Sequence, residues 1–108
     1  MDDDVKPMPP ARATESLRAK ARGELELRWT AHAKDQMQER RLIMGDVIHV
    51  LKHGFVYDEA QPSTQKGLFK YCMECNTPNS GRRTVKIVVI PSTGNGIKIV
   101  TVMWKDES

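Results

Sequence analysis

Three residues suited to proton transfer and anion binding, His32, Gln36 and Arg40, follow one another at four-residue steps in TAHAKDQMQERR. Thr30 offers an N-cap hydroxyl just ahead of them, so a short helix is predicted through about residue 41, with His32 at its second position. Unpaired backbone N–H groups and the dipole at that end disfavour a positively charged imidazolium. An uncharged imidazole can take a proton as a general base, and the helical period sets Gln36 and Arg40 roughly above it.

A base, an amide and a fixed cation in one row suit phosphoryl transfer in RNA. That reaction needs a base for the 2′-hydroxyl proton, cations for the charged transition state and an acid for the leaving oxygen. It calls for no metal and no cofactor. Cations that strands can bring to the row are Lys70, Arg82, Arg83, Lys86 and Lys98, and Tyr71 or Trp104 offers a ring for base stacking. The predicted catalytic set is therefore His32, Arg40, Lys70, Arg82 and Lys86, with Thr30, Gln36, Tyr71, Arg83 and Trp104 as binding residues. The competing structural role for His32 is a helix-terminal ring packed on the preceding strand, with the arginines solvated.

Cys72-Met73-Glu74-Cys75 has the spacing of half a zinc site, but a structural site wants four ligands and a second pair is absent from the sequence. A redox pair normally sits at a helix N-terminus, whereas strand alternation points these two sulfurs to opposite faces. Both cysteines are read as strand residues, and no metal site is expected.

The elements that must position these groups follow from periodicity. Residues 1–10 combine three aspartates with three prolines and read as a disordered lead outside the core. ARATESLRAKAR, residues 11–22, reads as a loosely held basic helix anchored by Leu17, or as an arm that completes a weak homodimer. The domain proper is expected over 24–106. It begins with a strand whose core face is Leu25, Leu27 and Trp29. The Thr30 helix follows, with Ala33 and Met37 inward, and then a helix from Ile43 with Val47, Val50 and Leu51 inward and Gly54 as its stop. His49 and His53 are assigned to solvated positions.

Strands are predicted over 55–59, 67–75, 84–90 and 97–104, separated by polar turns. Val85, Ile87 and Val89 form the surest core set. On the last strand Lys98, Val100, Val102 and Trp104 are expected to face opposite Ile97, Ile99, Thr101 and Met103. The fold class is α+β: a strand and two helices packed on one face of a twisted antiparallel sheet of four to five strands, the other face partly open.

The 108 residues suit one domain, and 39% hydrophobic with 29% charged residues is ordinary for a soluble globular chain. There is no apolar run long enough to span a bilayer and no signal-peptide pattern, so a cytoplasmic protein without membrane contact is expected. Residues 1–60 carry 10 Lys+Arg against 11 Asp+Glu, and residues 61–108 carry 7 against 3. The basic excess of the second half suits an acidic partner, whether RNA or an acidic protein.

Trp29-Thr30-Ala31-His32-Ala33, followed by Met37, Glu39-Arg40-Arg41, Ile43, Asp46-Val47, Leu51 and Gly54 and a late Ile99-Val100-Thr101-Val102 strand, resembles the DUF 4258 family over about residues 25–106. That family is similar in layout to the RelE/ParE and BrnT toxins. The resemblance implies a RelE-like fold and a metal-independent endoribonuclease toxin paired with an antitoxin, with Thr30, His32 and Arg40 as the matched positions. Lys70, Arg82 and Lys86 are added from strand position alone. The chain departs from the family pattern at Gln36, where arginine or glutamate is common, and at Arg40-Arg41, where arginine-glycine is more usual. The alternative expectation is a noncatalytic module that binds nucleic acid or protein through the open sheet face.

Overall fold

The computed structural model describes residues 6–92 and 94–107. Its elements are α1 (Pro10–Arg22), β1 (Glu26–Trp29), α2 (Ala31–Arg40), α3 (Met44–His53), β2 (Phe55–Val56), β3 (Gln61–Pro62), β4 (Phe69–Cys75), β5 (Val85–Pro91) and β6 (Gly96–Trp104), followed by a 3-10 turn at Lys105–Glu107. The class is α+β, with the helices on an open six-stranded sheet of order β1-β6-β5-β4-β2 and β3 paired to β4. Among the described residues no helix is long and apolar enough to cross a membrane.

The three longest strands form the expected antiparallel meander, but the sheet is mixed. β1 runs parallel to β6, with Leu27 beside Ile97 and Trp29 beside Ile99. Alternation identifies a strand and its two faces without identifying its neighbour. A parallel pair needs a long crossover, and here α2, α3 and β2 to β5 all lie between the partners.

The core lies between the sheet and the helices. Val85, Ile87 and Val89 are fully buried as expected, against Val47, Val50 and Leu51 of α3 and Met73 of β4. The expected alternation of β6 is corrected by a bulge: Val88 pairs with Thr101 but Val89 with Ile99, leaving Val100 as the extra residue. The inserted residue shifts the inward parity, so Ile97 and Ile99 share the core face with Val102 and half-buried Trp104. Lys98, Thr101 and Met103 stay on the open face.

The predicted loose arm is also corrected. Ala13, Leu17 and Ala21 are buried on one stripe of α1, which packs on α3 and β2, so Leu17 is not free to join a second copy. Small alanines let the helix approach closely, and Thr14 ties it down: its hydroxyl donates to Pro10 O and accepts from Val56 N at 2.9 Å. The lead contributes too, because Met8 packs on the core and its N–H donates to the Tyr71 hydroxyl at 2.8 Å. Residues 1–5 of that lead lie outside the described residues.

Gly54 ends α3 as expected but for a different reason from a left-handed cap. Its φ is −78°, and a Cβ there would meet Val50 O at 2.6 Å and Glu74 O at 3.0 Å. The glycine permits close approach of the helix end to β4. Arg41, in contrast, ends α2 at φ +57°, the left-handed region where glycine is favoured.

Candidate nucleic-acid interface

β1 stops at Trp29 while β6 runs on, and α2 takes over the exposed β6 edge. Thr30 N–H donates to Ile99 O at 3.1 Å, its hydroxyl donates to Val100 O at 3.2 Å, and the same hydroxyl caps α2 by accepting from Ala33 N at 3.0 Å. One helical turn on, buried Gln36 accepts from Val102 N through Oε1 at 2.9 Å. Thr30 and Gln36 therefore satisfy strand groups that would otherwise lie open.

The predicted row of three does not assemble as one face. His32 is exposed, with no side-chain hydrogen bond among the described residues, while Gln36 points inward and Arg40 is bound by acids. Arg40 Nε donates to Glu107 Oε1 at 2.7 Å and Oε2 at 2.9 Å, and Nη1 reaches Glu39 at 3.3 Å. The α-helix advances 100° per residue, so each four-residue step drifts by about 40°, enough to carry Gln36 inward and leave His32 outside.

Lys105, Asp106 and Glu107 form a clasp that engages β4, α2 and the turn before β5. Lys105 pairs with Glu74 of β4 at 2.6 Å, Asp106 takes a bidentate contact from Arg83 at 2.7 and 3.0 Å, and Glu107 holds Arg40 of α2. Arg83 also lies over the Trp104 ring at 4.1 Å. The hydrogen bond to Arg83 holds the Asp106 carboxyl below its ordinary range and raises the Arg83 guanidinium, and the bond to Glu74 raises Lys105. Arg83 and Trp104 thus meet as a pair, with the guanidinium held by Asp106 and the ring half-buried and packed against the core. Tyr71, the other predicted stacking ring, is buried with its hydroxyl on Met8 N.

The cations predicted as catalytic from strand position stand on neither α2 nor β6, the strand that α2 packs on. Lys86 stands on β5 and Lys70 on β4, the second and third strands in from the β6 edge beneath α2, and Arg82 sits in the exposed β4–β5 turn. Burial pushes the Cys72 thiol up to about 11 despite Lys86, and burial also raises Cys75. Cys72 lies on the open face of β4 and Cys75 packs against the core, so strand alternation separates the two sulfurs.

A different group of cations is brought together. Arg28 of β1 stands beside Lys98 of β6 in the parallel register, both on the open face, and neither makes an ion pair with another described residue. Ile90 lies opposite Lys98 on β5. Arg28, Lys98 and Ile90 line a groove of about 620 Å³ with Glu26, Gln65 and Asn95. Lys20 of α1 fixes one wall by donating to Ser92 O at 2.8 Å and to Gly94 O. Adjacent strands are about 4.8 Å apart, so the two side chains can grip neighbouring anionic oxygens. Sequence reasoning proposed Lys98 and passed over Arg28. Alternation with Leu27 and Trp29 did mark Arg28 as outward, but only the parallel pairing puts it beside Lys98.

A family profile described as a domain of unknown function matches residues 29–104. No curated protein and no solved structure matches the chain.

Proposed function

The chain belongs to that family, DUF4258, and from this premise we propose that it is an RNA-binding module whose open sheet face holds the phosphate backbone. The observation that carries the reading is the Arg28–Lys98 pair on the groove, two adjacent cations with no acidic partner among the described residues. Phosphodiesters are recognised by such groups because each contact releases condensed counterions. Lys70, on the same face, extends the row towards β4.

The second reading is a metal-independent endoribonuclease toxin of the RelE/ParE/BrnT type with a protein antitoxin. It is favoured by His32, four residues beyond Arg28, which is exposed and makes no side-chain hydrogen bond among the described residues. Incubation of the protein with labelled RNA in chelator, read both by anisotropy and on a denaturing gel, separates the two. Binding that disappears in Arg28→Glu/Lys98→Glu while the RNA stays intact supports the module. Cleavage that disappears in His32→Ala supports the toxin, and no RNA binding at moderate salt overturns both.

A further inference from the structure

Among the described residues four large apolar side chains are exposed, and two of them are neighbouring aromatic rings: Phe55, 47% exposed, and Tyr57, 63% exposed. Their centroids are 6.0 Å apart with the planes tilted by 32°, and the Arg18 guanidinium lies 4.4 Å from the Phe55 centroid. Arg18 is held there by donating to Gly54 O at 3.0 Å and His53 O at 2.9 Å. One side of the pair is thus braced by a fixed cation, and both rings border a cavity of about 440 Å³ that Glu74 and Lys105 also line.

The location ties the rings to the groove. Phe55 pairs with Glu74, Glu74 with Lys86, and Lys86 with Met103, so this row crosses the open face two rungs beyond the one through Cys72, Val88 and Thr101. From Lys98 to Phe55 is three strand spacings across, about 14 Å, and four residues along, about 13 Å, which gives roughly 19 Å. A few nucleotides span that distance. Of the acids beside the rings, Glu74 is paired with Lys105 at 2.6 Å, and the same ammonium lies close enough to Asp58 to be influenced by its charge.

We propose that Phe55 and Tyr57 form a base-stacking subsite that makes this face selective for single-stranded over duplex RNA. The proposal rests on the RNA-binding reading of the groove. A base inside a duplex has both faces stacked on its neighbours, whereas an unpaired base can lie on an exposed ring, and an adjoining guanidinium strengthens the platform.

The test measures anisotropy of a labelled, unstructured mixed-sequence RNA of about 14 nucleotides, within the ~4–16 nucleotide sites of single-strand binders, and of its duplex with the complementary strand. The full chain is expected to bind the single strand at least about tenfold more tightly. Tyr57→Ala weakens single-strand binding by about fivefold or more, leaves duplex binding and the salt dependence unchanged, and is rescued by Tyr57→Phe, since the ring acts and the hydroxyl does not. Phe55→Ala gives the same pattern; if it lowers the melting temperature, Tyr57→Ala decides. Equal affinity for both probes, or full single-strand affinity in Tyr57→Ala, overturns the subsite while the groove reading stands. Loss of all binding only in Arg28→Glu/Lys98→Glu leaves the groove in place, and absence of binding by the unmutated chain overturns both.

Discussion

Replacing Gln36 by leucine distinguishes an edge-sealing residue from a catalytic one. The side chain is 8% exposed and its Oε1 accepts from the buried Val102 N–H at 2.9 Å. Leucine has a similar size, so packing is kept and the acceptor alone is lost. Leaving one buried amide unpaired costs about 1–3 kcal/mol, offset in part by the added apolar surface. At roughly 4–8 °C per kcal/mol for a domain near this size, a net loss of about 1–2 kcal/mol lowers the melting temperature by about 5–15 °C. Thermal melts read the global effect, and amide exchange by NMR reads Val102, whose protection should fall ahead of that of Ile87 on the neighbouring strand. RNA affinity below the melting range should be unchanged. An unaltered melting temperature with Val102 still protected, alongside a loss of RNA cleavage, would refute the edge role and return Gln36 to the reacting face.

Three further perturbations probe other parts of the structure. With Arg28, Lys98 and Lys70 each meeting one phosphate, the slope of log affinity against log salt should be about −2, and Arg28→Gln should reduce it to about −1.4; an unchanged slope would remove Arg28 from the interface. Arg83→Gln should return the Asp106 carboxyl, followed by NMR, to its ordinary range. Because Asp106 is depressed in the folded state, the clasp's contribution is complete above the ordinary carboxyl range and is lost as pH falls through the lowered value. Unfolding measured across that acid window should show this dependence in the unmutated chain and lack it in Arg83→Gln. Arg41→Gly relieves the left-handed residue at φ +57°, and should raise stability in urea by up to about 1 kcal/mol; a loss would mean that the arginine side chain has a role its exposure does not reveal.

The sequence reading was strongest where one local pattern decides the outcome. Val85, Ile87 and Val89 are inward because alternation needs no knowledge of a partner strand, and Thr30 caps α2 because the cap is formed within four residues. It failed where a distant neighbour decides. The parallel placement of β1, the bulge at Val100 and the Arg40–Glu107 pair, 67 residues apart, have no local signature. The candidate site suffered for this reason. A row drawn on one helix took Gln36 and Arg40 for partners of His32, whereas β6 claims the first and Glu107 the second. Leu17 was read as a lone anchor because the contribution of Ala13, Thr14 and Ala21 shows only once α3 and β2 are in place. Phe55 and Tyr57 were read as strand residues, and alternation alone could have put them on one face without revealing that the face stays uncovered.

The pairing of β1 with β6 has a kinetic meaning. Arg28 and Lys98 are joined across 70 positions of chain, whereas β4, β5 and β6 meet through short turns. Closing a long loop is slow, so the meander forms early and β1 docks on it late. The groove is therefore expected to mature late in folding, and binding competence should lag behind the appearance of sheet structure in a refolding experiment.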